Sequence, residues 1–168
     1  MAKKKAITTN AMRMLDKSKV SYELIEYDAG GEVGDNFGMK IAEICGFDPA
    51  ASLKTLVMRG KNGIYVAAIP SRCEVDLKKV ALLTGEKKVE MVHVRELLEL
   101  TGYIRGGVTP IGMKKKYRTF IDASVKDMEK IAVSGGVCGA ALRLSPTDLQ
   151  KASDGEFADI TTVFKEEN

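Results

Sequence analysis

The chain has one histidine, His93, and three cysteines, Cys45, Cys73 and Cys138, with no C-x-x-C pair among them. This scarcity excludes much chemistry. His93 has no partner near it in sequence for a catalytic triad or an H-E-x-x-H metal site. An odd, widely spaced set of thiols argues against both a disulfide framework and zinc. No G-x-S-x-G elbow is present, so no activated serine is announced either. No apolar run approaches the ~20 residues that cross a bilayer, which argues against a membrane partner. Met1-Ala2-Lys3-Lys4-Lys5 starts as a signal peptide does but lacks the apolar segment that should follow, so the expectation is a cytoplasmic protein. No pattern calls for a metal or any other cofactor.

What remains is an ordinary globular composition: 168 residues, 45% hydrophobic and 29% charged, with a net charge of +3. A chain of this size can bury about 70% of its unfolded surface without staples, so residues 1–168 are expected to form one domain. An excess of +3 says little about partners. Local clusters at Lys78-Lys79, Lys87-Lys88 and Lys114 to Arg118 are better suited to phosphates.

The most informative stretch is Gly102-Tyr103-Ile104-Arg105-Gly106-Gly107-Val108-Thr109-Pro110-Ile111-Gly112, followed by Lys114, Lys115 and Lys116. Adjacent glycines let the main chain approach a ligand and turn bare N–H groups toward an acceptor, and Pro110 stiffens the loop. Backbone donors next to ammonium charge suit a phosphate or a polarised carbonyl. A Gly/Pro turn leading into a solvated basic face fits the same residues. A P-loop does not, because Met113 and Lys114 follow Gly112 where Lys and Ser/Thr should stand.

Along the chain, Thr8-Thr9-Asn10 is expected to cap a helix carrying Ala11, Met12 and Leu15 on its inner face. Val20 to Tyr27 reads as a strand, and Asp35 or Asn36 as the cap of a helix from Phe37 to Cys45 that Gly46 ends. Phe37 fits a core or staple residue as well as a ligand contact. Leu53 to Met58 and Ile64 to Ile69 read as a hairpin whose second strand, apolar on both faces, should be central. Strand parity puts Lys54 on the side of Leu56 and Met58, so it either snorkels or directs its ammonium into a pocket. Asp76 caps a helix to Thr84, Lys87 to Val92 is a strand, and His93 is a surface or capping residue before a helix from Val94 to Leu100. Strands at Tyr117 to Ala123, Lys130 to Val133 and Ala140 to Leu144 follow, with short helices at Ser124 to Glu129 and after Ser145. The mixture favours an α+β fold with a sheet curled on itself over a doubly wound one. Glycine amides, a directed lysine and the Ser134 hydroxyl could bind an anion, leaving the attack to water or to the substrate.

Read together, Asn36-Phe37-Gly38, Lys54-Thr55-Leu56, Asp76-Leu77-Lys78-Lys79-Val80-Ala81, Lys87-Lys88-Val89-Glu90-Met91, Gly106-Gly107-Val108-Thr109-Pro110-Ile111-Gly112, Val133-Ser134-Gly135-Gly136 and Phe157-Ala158-Asp159-Ile160 resemble the YbaK family of aminoacyl-tRNA deacylases. The resemblance runs nearly end to end and extends to the editing domain of bacterial prolyl-tRNA synthetases. It implies a mixed, mostly antiparallel sheet curled into an irregular barrel with flanking helices. It also implies hydrolysis of the ester joining a wrong amino acid, usually cysteine, to proline tRNA, with prolyl-tRNA synthetase as a transient partner. Lys54, Gly106 and Ser134 would then be the main active-site positions. Tyr27 and Phe37 would line the pocket for the aminoacyl-adenosine end, joined in substrate binding by Gly107, Thr109 and Gly135. Lys114, Lys115 and Lys116 would meet the tRNA backbone. Two residues depart from the family pattern: Thr109 replaces a serine, and Ala141 stands where many members carry an aspartate able to meet the substrate's α-ammonium. The second departure bears on amino-acid choice and keeps two alternatives open, a non-catalytic module that binds a tRNA end, nucleotide or synthetase, and a deacylase shifted to alanyl-tRNA. Cys138, with no base beside it, reads as a small filler.

Overall fold

The computed structural model describes residues 7–28, 30, 34 and 36–162. The Lys-rich start, the acidic C-terminal residues and the Asp35 cap lie outside them.

Helix α1 (Asn10–Lys17) begins at Thr9, whose hydroxyl accepts the Met12 amide, and buries Ala11, Met12 and Leu15. That spacing makes one narrow apolar stripe. Strand β1 (Glu23–Glu26) is shorter than the apolar run that announced it. Helix α2 (Phe37–Cys45) ends at Gly46 as expected, but Asn36 occupies its N-cap in the left-handed region and makes no side-chain cap bond. Strands β2 (Leu53–Gly60) and β3 (Gly63–Pro70) form the hairpin, and helix α3 (Leu77–Thr84) carries the Asp76 cap to the Lys78 and Lys79 amides.

Beyond α3 the elements are shorter than the sequence suggests. Strand β4 is only Glu90–Met91, and the helix after His93 starts as a 3-10 turn (Val94–Glu96) before helix α4 (Leu97–Thr101). His93 is exposed, stands at the N-cap of that turn, and donates its N–H to the Glu96 carboxylate. Strand β5 (Arg118–Asp122), a 3-10 turn (Ala123–Val125), strands β6 (Ile131–Ser134) and β7 (Ala140–Leu144), helix α5 (Pro146–Ser153) and strand β8 (Glu156–Ala158) complete the chain.

The described strands form two sheets, ordered β1-β7-β6 and β4-β2-β3-β5-β8, and no closed barrel is found among them. The α+β class and the mixed pairing hold: β3–β5 and β5–β8 are parallel, whereas the hairpin, β2–β4, β1–β7 and β6–β7 are antiparallel. The two sheets meet at an isolated parallel bridge between Ser52 and Ala132. There the Ala132 amide donates to the Ala51 carbonyl at 2.8 Å. Two buried clusters follow from strand parity. Tyr65, Ala67, Ile69 and Phe120 pack with Val80 and Ala81 of α3, while Ala68 and Ile121 turn to the other face, toward Leu142, Leu144, Leu149 and α1. Apolar on both faces, β3 is central as predicted.

Candidate active site

The Ser52–Ala132 bridge sets the site. Because the two strands run parallel there, Lys54 and Ser134 each lie two residues further on, at the same level on neighbouring strands. Ser134 in turn pairs with Ala141 of β7, and Ala141 with Ile25 of β1. The Tyr27 amide extends that ladder by donating to the Gly139 carbonyl at 2.9 Å. Helix α2 closes over β2 at Gly38, where a Cβ would lie 2.7 Å from the Ser71 hydroxyl and 3.7 Å from the Lys54 Cβ. Only a residue without a side chain lets the helix settle so close.

These elements surround a cavity of about 530 Å³. Its wall includes Tyr27, Phe37, Lys54, Gly106 and Ser134, so five of the residues singled out in the sequence meet in one hollow. Lys54 keeps 27% of its side chain exposed and points its ammonium to within 4.0 Å of Glu74, whose carboxylate is 83% exposed. An exposed pair at that distance is weak, leaving the cation available to a ligand. Glu74 is the one carboxylate on the wall among the described residues. The Gly136 amide donates to the Ser134 Oγ at 3.2 Å, orienting the hydroxyl with its own proton unspent among the described residues. Burial raises the Tyr27 phenol above its ordinary range, opposed by a backbone bond to Gly139 and aided by the thiols of Cys138 and Cys45. Burial also raises the Cys45 thiol, which keeps it protonated and a poor nucleophile.

The other predicted positions lie off the wall. Gly107 and Gly135 are packing glycines. A Cβ on Gly107 would lie 3.0 Å from the Val137 Cα and 3.1 Å from the Gly136 carbonyl group, and one on Gly135 would lie 3.0 Å from the Ala140 Cβ. Their amides are already engaged, Gly107 with the Ile104 carbonyl at 2.9 Å and Gly135 with the Ala140 carbonyl at 2.8 Å. Among the amides of the first glycine loop that have no acceptor among the described residues, those of Gly106 and Val108 belong to residues on the cavity wall. Thr109 is fully buried, and its hydroxyl has no partner among the described residues. Lys114, Lys115 and Lys116 are exposed, and Lys116 pairs with Asp154 at 2.7 Å.

Sequence reasoning passed over Thr55, Ser71, Glu74 and Arg105, all of which line the cavity. Thr55 carried a signal in sharing strand parity with Leu53 and Val57, and its hydroxyl is buried without a partner among the described residues. Ala141 is 3% exposed and also on the wall, so the departure from the family pattern falls inside the site.

A cavity lined by the cations Lys54 and Arg105, with the Gly106 and Val108 amides, an oriented hydroxyl and no activated side-chain nucleophile among the described residues, defines a site that binds an acyl or phosphoryl oxygen and draws its attacker from elsewhere. The chain belongs to the aminoacyl-tRNA editing domain family, which matches residues 39–152. It is 43% identical over 164 residues, 96% of this chain and 99% of the other, to EbsC of Enterococcus faecalis, named provisionally as a Cys-tRNA(Pro)/Cys-tRNA(Cys) deacylase. A 28% identity over 96 residues relates it to the proline–tRNA ligase of Thermosipho africanus, covering 57% of this chain but 17% of the ligase. The fold matches, at 22% identity and a TM-score of 0.80, a crystal structure described provisionally as a trans-editing enzyme for prolyl-tRNA synthetase, over 94% of this chain and all of the other.

Proposed function

We propose that the protein is a trans-acting editing hydrolase that cleaves the ester of a mischarged proline tRNA, with cysteine as the amino acid removed. The observation that carries this reading is the meeting of Lys54, the Gly106 and Val108 amides and the Ser134 hydroxyl on one cavity wall. The near full-length relative named as a Cys-tRNA(Pro)/Cys-tRNA(Cys) deacylase supports the choice of substrate. In this reading Lys54 holds a phosphate or ribose oxygen and the loop amides receive the ester carbonyl as negative charge develops on it. Ser134 orients the amino acid, and Tyr27 and Phe37 flank the aminoacyl-adenosine. With the wall's one carboxylate among the described residues, Glu74, exposed and facing the Lys54 ammonium, the cysteinyl thiol attacks its own ester. The S–C bond forms, the C–O bond breaks, the thiol proton passes to the departing ribose oxygen, and water then opens the resulting thioester ring. Lys114 and Lys115 meet the tRNA backbone, and prolyl-tRNA synthetase supplies tRNA selectivity as a transient partner in the cytosol.

The test is to incubate the protein with proline tRNA charged with cysteine, alanine or proline and to follow ester loss. Loss of the cysteinyl ester alone is expected. Equal cleavage of the alanyl ester would refute the thiol as attacker. Binding of the tRNA end without any turnover would make the protein a binding module instead. Lys54→Ala should lower kcat/KM about 10- to 100-fold, the equivalent of one charge-assisted hydrogen bond, with the fold retained.

A further inference from the structure

We propose that Thr9, Asn10 and Tyr103 are positioning residues that fix the spacing of the two glycine loops, which makes helix α1 part of the editing site although it precedes the family-matched residues 39–152. The inference rests on the editing reading above. None of the three touches the cavity; each acts on a loop that does.

The first glycine loop needs outside support. Between Gly106 and Gly112 its one backbone-to-backbone hydrogen bond among the described residues is Gly107 to Ile104. Its far end is held by side chains. The Asn10 amide donates to the Gly112 carbonyl, and the Tyr103 phenol donates to the Ile111 carbonyl at 2.7 Å, with Gly112 at 3.2 Å. The second loop is held from the same place. Thr9 uses one hydroxyl twice, accepting the Met12 amide as helix cap and donating its proton to the Gly135 carbonyl.

Packing agrees with the hydrogen bonds. A Cβ on Gly136 would meet the Tyr103 ring at 3.0 Å and the Thr9 Cβ at 3.1 Å. One on Gly112 would meet the Asn10 carbonyl oxygen at 3.0 Å and the Tyr103 hydroxyl at 3.1 Å. Gly107 of the first loop already sits against Gly136 of the second. The first turn of α1 and the Tyr103 ring therefore form a spacer with one loop on each side. Tyr103 is held in turn by its own amide, which donates to the Thr101 hydroxyl at 3.0 Å. A change at the spacer alters the distance between the Gly106 and Val108 amides and Ser134 without removing any group from the cavity.

Three variants separate spacing from helix capping. Thr9→Asp keeps an N-cap acceptor for the Met12 amide but, ionised, has no proton for the Gly135 carbonyl. Thr9→Ser keeps both functions. Asn10→Ala removes the tie to Gly112 while improving helix propensity, so it keeps the proposal falsifiable should Thr9→Asp fail to fold. Cysteinyl-tRNA(Pro) turnover and amide hydrogen exchange of segments 104–113 and 134–140 are measured on each full chain. Thr9→Asp and Asn10→Ala are expected to lower kcat roughly tenfold or more with KM within about twofold, since small misplacements cost rate more than binding. Exchange in both segments should rise in Thr9→Asp, exchange in 104–113 should rise in Asn10→Ala, and Thr9→Ser should match the parent protein in both readouts. Unchanged exchange in Thr9→Asp and Asn10→Ala, or a Thr9→Ser protein as impaired as Thr9→Asp, overturns the spacer. If the parent protein cleaves no aminoacyl ester, the editing reading falls while the exchange data still judge the spacer.

Discussion

Gly107→Ala tests the geometry most sharply, because the new methyl group never enters the cavity. It would lie 3.0 Å from the Val137 Cα and 3.1 Å from the carbonyl carbon and oxygen of Gly136. These are main-chain atoms that no rotamer change can move aside. Reaching the optimum of about 3.5–4.0 Å for such contacts means parting the loops by roughly 0.5–1 Å. Overpacking of this kind costs about 1–3 kcal/mol of stability. A misplacement of about 1 Å between the loop amides and Ser134 can cost up to about 100-fold in rate. The expected variant folds, melts at lower denaturant, and turns over cysteinyl-tRNA(Pro) at least about tenfold more slowly in single-turnover assays. Gly63→Ala is the control: a Cβ there meets nothing within 4 Å, so stability should stay within about 0.5 kcal/mol and activity should be unchanged. A Gly107→Ala protein with parental stability and rate would refute the claim that contact between the loops sets the site.

Thr109→Val should stabilise the protein by about 1 kcal/mol in urea unfolding, because it removes a buried hydroxyl with no partner among the described residues; a loss of more than about 1 kcal/mol would show that the hydroxyl is bonded. Burial pushes the Tyr103 phenol up to about 12, against the opposing pull of the Ala11 amide. Between an unfolded value of about 10 and that folded value the unfolded chain sheds the proton first. Tyr103 therefore adds stability below that window and loses it as pH rises through it, so the stability gap between the parent and Tyr103→Phe should narrow over that range. A gap independent of pH would contradict the placement of the phenol. The reverse sign applies to Glu96, whose carboxyl is lowered to about 2, chiefly by the Arg59 guanidinium. Its contribution is complete above about pH 4.5 and fades as pH falls toward the folded value, and Arg59→Met should reduce that acid-range slope to the part held by the His93 amide.

Local chemistry made many elements legible. Asp76 before Leu77, Gly46 after Cys45 and Pro146 after Ser145 each mark a helix end, and each falls where its side chain or φ preference puts it. Strand β3, apolar on both faces, was readable as central for the same reason. Non-local pairing was not readable. Glu156–Ala158 is too short and too polar to announce a strand and exists as one by lying parallel to β5. The division into two sheets depends on the Ser52–Ala132 bridge, whose partners no periodicity connects.

The site divides in the same way. Strand parity left Lys54 two options, and the bridge that levels it with Ser134 turns it to the cavity. Gly106 and Gly107 look equivalent in sequence, yet one lines the cavity and the other packs against a turn nearly thirty residues away. Nothing in the local pattern assigns those two roles. Thr9 and Asn10 signalled only a helix cap; their second use depends on which loops the fold lays against α1.

The most direct test follows ester loss from proline tRNA charged with cysteine, in trans, with the intact protein and with Lys54→Ala. The intact protein should release cysteine rapidly, and the variant should react 10- to 100-fold more slowly, about what one charge-assisted hydrogen bond supplies. Cysteinyl-tRNA that stays charged, or a Lys54→Ala protein that discharges it at the parental rate, would contradict the editing reading.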